Sequence, residues 1–351
     1  MADYPIDRVM VFDKQAYQAI DKLLAEEGIK RDPNLDYTCA MYDEEGEIIA
    51  TGSCFANSLR CLAVSSAHQG EGLMNAIVTH LINEQYERGN PHIFLYTKCN
   101  SSKFFQSLGF YEIARIEDKL VFMENQRKGF ANYLENLTAC VSKVQARQRA
   151  AAIVMNANPF TLGHQYLVEK ASRENDIVHL FVVSEDKSLV PFSVRKQLVE
   201  AGVVHLPNVY CHETASYMIS SVTFPSYFQE NENAVIESNA LLDLQIFSQI
   251  AKALGIQRRY VGEEPFSRVT NLYNQIMQTE LPKVGIECVV VPRKVSEGQA
   301  ISASSVRVAI QAGDFEKVSA MLPESSYQFL LSEEGQKVVQ RIQQAENVIH
   351  Y

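Results

Sequence analysis

NANPFTLGHQYLVEKA, residues 156–171, follows the apolar run AAAIVM and leads into a stretch with helical spacing. An apolar run of that length suits a buried parallel strand, and YLVEKA places its apolar positions on one helix face. Asn, Pro, Thr, Gly and His therefore fall together at a strand-to-helix turn. Downstream the alternation continues through IVHLFVVSE, the SVRKQLVEAGVVHL helix, NVYCHE, a long helix ending at Leu254, RRYVGE, the NLYNQIMQ helix and IECVVVP. Only an irregular, aromatic-rich stretch at residues 217–233 interrupts it. Such a pattern builds a doubly wound parallel sheet, which receives ligands beyond the carboxyl ends of its strands.

The chain ahead of this turn reads differently. YTCAMYD and EIIATGSCFA alternate around EEGE as an antiparallel hairpin, and LRCLAVSS continues in the same style. A helix spans about Leu73 to Arg88, HIFLYTK is a strand, SKFFQSLGF is a helix stopped by glycine, and KLVFMEN is a last strand. The whole is an α/β chain with an α+β domain over residues 1–130, a polar helical linker over 131–149 and a Rossmann-like domain over 150–351. A chain of this length suits two cores, because a single core rarely grows beyond ~250 residues.

Charge narrows the function. With 42 acidic against 32 basic residues the net charge is -10, which gives no broad footing on nucleic acid or an anionic membrane. Seven cysteines without a CxxC pair argue for reduced thiols and against a zinc cluster, and no metal-ligand set stands out. MADYPIDRVM has no apolar core of a leader, and no window approaches the ~18 apolar residues of a membrane span, so the expected location is the cytoplasm.

At the NPFTLGH turn, a helix starting near Gly163 points free amide groups and its positive dipole end toward an anion. Thr161 and His164 project to the same side, Gly163 leaves room for a nucleotide, and Pro159 fixes the entry angle. An imidazole beside a bridging phosphate oxygen stabilises charge on departing pyrophosphate. TLGH after NANPF resembles the T/HxGH signature of the nucleotidyltransferase superfamily, whose members direct attack at the α-phosphate of a nucleoside triphosphate. ISASSVR, residues 301–307, resembles that superfamily's second signature, ISSTxxR. The resemblance implies Thr161, His164 and Arg307 as catalytic residues, with Arg307 meeting the β- and γ-phosphates. It implies Asn158, Phe160, Gly163, Ser302, Ser304 and Ser305 around ATP, Lys187 and Arg195 closing over the triphosphate, and Gly262, Glu263 and Glu264 of RRYVGEEPFS near ribose and base.

In the first domain, Gln69, Gly70 and Gly72 of AHQGEGLMN lie between a strand and a helix and offer backbone amides to a pyrophosphate. With Asn100 and FFQSLGF the order resembles the Gcn5-related acetyltransferase family, which implies that Gln69, Gly70, Gly72 and Asn100 grip a coenzyme-A-like arm. Two positions depart from that family. Met74 stands where its pattern has a small residue, and Phe105 stands where many members carry a tyrosine acid. A phenyl ring donates no proton, so binding of the arm is expected rather than ordinary acetyl transfer, with Tyr111 or a water as the other possible donor.

The residues alone support an ATP-using nucleotidyltransferase fused to a coenzyme-A binder. They leave open adenylyl or cytidylyl transfer to a phosphorylated small molecule, or a first domain that only senses acyl-coenzyme A. The domain order with NPFTLGH, GEEP and ISASSVR resembles the citrate lyase ligase family over nearly the whole chain. That resemblance implies acetylation, through acetyl-adenylate with ATP and Mg²⁺, of the thiol on the citrate lyase acyl carrier subunit, whose prosthetic group derives from dephospho-coenzyme A.

Overall fold

The computed structural model describes residues 4–141, 148–218, 232–264, 267–296 and 299–349. Most of the aromatic-rich stretch, the middle of the expected linker and Pro265–Phe266 of the GEEPF turn lie outside them. The chain groups into two units. One takes residues to Asn132 and, from the later chain, those up to Gln245; the other takes Tyr133–Ser220 and Ile246–Tyr351.

The first unit runs β1 (Ile6–Arg8), α1 (Lys14–Glu26), β2 (Tyr37–Tyr42), β3 (Ile48–Phe55), β4 (Ser58–Val64), α2 (Leu73–Glu87), β5 (Phe94–Thr97), α3 (Ser102–Ser107), β6 (Tyr111–Ile116) and β7 (Leu120–Glu124). Its sheet has the order β1-β2-β3-β4-β5-β7-β6. Side chains alternate across a strand, and β2 shows what that does here. Cys39 and Met41 join Ile77, Val78 and Leu81 of α2 in one core, while Ala40 joins Ile20, Leu23 and Leu24 of α1 in another. Helices thus cover both faces, which is why the inner strands are almost continuously buried. A side chain at Gly52 would stand 2.6 Å from the Ile77 methyl, so glycine there lets α2 lie close on the sheet.

All neighbours in this sheet are antiparallel except β4 and β5, which pair only at Ser58–Phe94 and Leu59–Leu95. Beyond Leu59 the two strands pair no further, and their carboxyl ends lead to the Gln69–Gly72 loop and to Asn100. Strand β6, unread in the sequence, lies at the edge of this sheet and, among the described residues, pairs with β7 alone. Its exposed Tyr111 and Glu112 break the apolar pattern.

The second unit includes most of α4 (Gly129–Ala139) and then β8 (Ala150–Met155), α5 (Leu162–Glu174), β9 (Ile177–Val182), α6 (Phe192–Val203) and β10 (Val209–Glu213). Helix α7 (Glu232–Leu254) is divided between the units, because Lys119 and the Arg115 amide, both in the first, contact its Glu237 and Gln245. The expected 150–351 domain is therefore interrupted. β11 (Ile256–Gly262), α8 (Arg268–Glu280), β12 (Glu287–Val291), β13 (Val295–Ser296), β14 (Gln299–Ala300), α9 (Ala303–Ala312), α10 (Phe315–Met321), α11 (Glu324–Leu331) and α12 (Glu333–Gln344) complete it.

Its five-stranded sheet is parallel throughout, in the order β10-β9-β8-β11-β12. The chain moves outward from β8 in one direction and returns to its other side at β11, so the switch point lies between β8 and β11. The sequence pattern identified only the first of the last four helices. They pack Val306, Ile310, Val318, Leu330, Val338 and Ile342 into one core with Leu198 and Val199 of α6.

Candidate functional site

The NPFTLGH turn leaves β8 at the switch point. Thr161 caps α5: its hydroxyl accepts from the His164 amide at 3.3 Å, while His164 Nδ1 accepts from the Thr161 amide at 3.1 Å. An Nδ1 that accepts a backbone N–H carries no proton, so the neutral ring bears its proton on Nε2. Burial, with the nearby charge of Arg293, lowers the imidazole pKa to about 4. His164 is thus a neutral donor at physiological pH. The Asn158–Pro159 peptide is cis, and the Phe160 ring stacks on His164 with centroids 5.8 Å apart. Phe160, expected beside ATP, is wholly buried: it fills the space left by Gly202 in α6, where a Cβ would stand 2.3 Å from its ring. It supports His164 from the core.

The second motif lies against the first. A Cβ on Gly163 would sit 3.2 Å from the Ile301 carbonyl, so the missing side chain lets the start of ISASSVR approach α5. Ser302 caps α9 by accepting from the Ser305 amide at 3.0 Å, and its hydroxyl is 2.9 Å from Ser304 Oγ and 2.7 Å from Ser305 Oγ. Arg307, expected to face phosphates, is instead buried. Its Nη1 donates to the Asn158 carbonyl at 2.5 Å, Nε to Val348 O at 2.6 Å and Nη2 to Ile349 O at 2.9 Å. Desolvation lowers its pKa to about 10.

Arg195 corrects another expectation. Its guanidinium is fully buried and donates to the carbonyls of Val190, Asn156, Val183 and Glu185. These belong to the segments after β8 and β9, so the residue ties strand ends together instead of covering a triphosphate. The same segments are joined by Asn156 Nδ2 to Ser188 Oγ at 3.0 Å and by the Val190 amide to Asn158 Oδ1 at 3.0 Å. Asn158 Nδ2 is buried and has no hydrogen-bond partner among the described residues, a donor that such sites ordinarily satisfy with a ligand or water. Lys187 is exposed on the loop after β9.

Gly262 ends β11, beside β8, and its carbonyl accepts from Asn274 at 3.0 Å. Glu264 pairs with Arg293, whose Nε also donates to the Glu263 carbonyl at 2.9 Å. Arg293 was not singled out in the sequence. It stands just past the carboxyl end of β12, the place where the strand-end rule directs attention, and its charge reaches His164.

In the first unit, Gly70 and Gly72 have φ of 90° and 82°, Gly72 caps α2 without a side-chain bond, and a Cβ on either would meet open space. The loop backbone is accordingly uncovered. Gln69 is extended, Asn100 Oδ1 accepts from Ser101 Oγ at 3.2 Å, and Met74 packs at the edge of the core. Phe105 is buried edge-on against Phe110, whereas Tyr111 remains 39 % exposed.

Comparison with known proteins agrees with both halves. Residues 150–330 match the citrate lyase ligase C-terminal domain, and residues 6–112 match the acetyltransferase (GNAT) family. The [citrate [pro-3S]-lyase] ligase of Klebsiella pneumoniae is 36% identical over 91% of this chain and 94% of its own length. Those of Escherichia coli K12 and Haemophilus influenzae are 35% and 32% identical over 92% and 91% of this chain, covering 92% and 96% of theirs. An acetyltransferase-type unit joined to a parallel-sheet unit, matched to these ligases along almost the full length, shows that the chain belongs to the citrate lyase ligase family.

Proposed function

We propose that this chain activates citrate lyase in two steps at two sites. Acetate first attacks the α-phosphorus of ATP; the bond to the bridging oxygen breaks, pyrophosphate leaves and acetyl-adenylate forms. The thiolate of the dephospho-coenzyme-A-derived group on the lyase's acyl carrier subunit then attacks the acetyl carbon, AMP departs, and the thiol proton passes to solvent. Acetate alone is a poor acylating agent, and the adenylate supplies the leaving group. The observation that carries the reading is the junction of NPFTLGH and ISASSVR just past the end of β8, through the Gly163–Ile301 approach and the Arg307–Asn158 bond.

There the His164 Nε2–H and the unpartnered Asn158 Nδ2 donate to phosphate oxygens on which negative charge grows. Thr161 fixes the His164 tautomer. Amides at the start of α5 and α9, with Ser302, Ser304 and Ser305, face the same charge; Lys187 and Arg307 neutralise the leaving pyrophosphate, and Gly262, Glu263 and Glu264 border the nucleoside. Mg²⁺ supplies charge neutralisation on the phosphates. In the first unit Gln69, Gly70, Gly72 and Asn100 receive the pyrophosphate of the prosthetic arm. Seven unpaired cysteines support a cytoplasmic setting, and no described helix is long and apolar enough to cross a membrane.

Exchange of labelled pyrophosphate into ATP, with and without acetate, tests the first step. Acetate-dependent exchange is expected with AMP as the spent nucleotide. Exchange without acetate points to nucleotidyl transfer to another acceptor, and ADP as the main product overturns attack at the α-phosphorus.

A further inference from the structure

Arg307 is a buried cation whose three bonded partners are all neutral carbonyls. Two of them belong to the segment that follows α12. The Ala345 carbonyl accepts from Gln311 at 2.9 Å, the Ile349 amide folds back to Asn347 Oδ1 at 2.9 Å, and Val348 is buried at 5 % exposure. Ile349, by contrast, leaves 56 % of its surface in solvent. Carbonyl dipoles compensate a buried guanidinium less fully than a charged oxygen does, and phosphate matches its planar fork.

We propose that residues 345–349 form a strap that occupies Arg307 in the nucleotide-free protein and is displaced when the triphosphate of ATP reaches that guanidinium. The inference rests on the nucleotide reading of the site. It explains how one arginine is both buried and available: the Val348 and Ile349 carbonyls hold the guanidinium in place beside Asn158 until an anion takes it over. The strap therefore competes with ATP, and the affinity observed is the intrinsic affinity reduced by the fraction of molecules with the strap released.

Hydrogen exchange on the full chain, with and without MgATP, gives a signature that support of the fold alone does not. Amides of residues 156–164 become protected as ATP binds, while those of residues 345–349 exchange faster. Val348→Gly removes the buried anchor, and this variant is expected to bind ATP more tightly, by about tenfold if the strap is closed nine times in ten. Unchanged or slower exchange at residues 345–349 with ATP bound overturns the strap even if Val348→Gly fails to fold. If ATP protects no amide at residues 156–164, the nucleotide reading falls and the strap falls with it, so the two failures are told apart in one experiment.

Discussion

His164 turns a motif into a chemical role because both of its neighbours restrict it. The Thr161 amide takes Nδ1, and Phe160 stacks on the ring. A histidine whose pKa falls from 6.5 to about 4 stays neutral through the physiological range, so in the proposed reaction it would stabilise charge by donating Nε2–H without transferring a proton. His164→Ala is expected to slow acetate-dependent pyrophosphate exchange by about 10²–10³, the usual consequence of deleting one preorganised donor. In the wild type, exchange should show no inflection from this residue near pH 6.5, because Nδ1, which accepts from the Thr161 amide, takes up a proton only as pH approaches 4. A His164-dependent inflection near neutrality would contradict the neutral-donor role. Arg195 has the opposite character, a cation spent on the fold. Lysine keeps the charge but not the planar fork, and Arg195→Lys leaves buried carbonyls unpaired, costing about 2–4 kcal/mol of stability. Denaturant unfolding measures this, and an unchanged midpoint would sink the clamp.

At the scale of elements, the site depends on close approaches that glycine allows. Gly202 lies in α6, where alanine is intrinsically the better helix former, yet its Cβ would enter the Phe160 ring. Gly202→Ala should therefore destabilise by about 1–3 kcal/mol through overpacking, and the displaced ring should disturb His164. A melting temperature at or above wild type would show that Phe160 has room to move. Such contacts mark the limit of what sequence displays. The βα alternation and both motif-bearing turns were legible because they depend on periodicity and local capping. β6 was missed because an edge strand with Tyr111 and Glu112 in solvent has little apolar pattern to show. The motifs imply phosphate contacts for Arg195 and Arg307 but do not show their burial: carbonyls gathered from separate segments enclose both, and no local pattern records that. Arg293 was legible only through its place after a strand, which becomes informative once the sheet order is known.

At the scale of the whole molecule, acid stability follows in part from a histidine pair that the proposed chemistry does not use. His179 Nδ1 and His212 Nε2 are 3.0 Å apart on neighbouring strands, and burial lowers their pKa values to about 3 and about 4 from 6.5. Below pH 6.5 the unfolded chain binds protons that the folded chain refuses, so stability falls as pH drops from 6.5 toward 4. Each histidine contributes up to about 1.4 kcal/mol per pH unit. Urea titrations at pH 7.5, 6 and 5 should show a declining midpoint, and a flat series would mean that the pair protonates without unfolding.

The two-unit division separates the two half-reactions in an experiment. Gly72 holds φ at 82° in the first unit, where a Cβ meets no neighbouring atom, so Gly72→Ala costs about 1–2 kcal/mol of backbone strain without a clash. Any methyl there stands on the uncovered backbone that the pyrophosphate of the prosthetic arm would approach. The adenylation residues belong to the other sheet. Acetate-dependent pyrophosphate exchange is therefore expected to survive in Gly72→Ala, while acetylation of the carrier thiol falls, chiefly through a higher KM for the carrier. If the loop only shapes its unit, carrier acetylation should track the melting temperature and its KM should not move. Unchanged carrier acetylation in a well-folded variant would place the arm elsewhere, because a methyl at Gly72 stands where the arm's phosphates are proposed to meet the backbone.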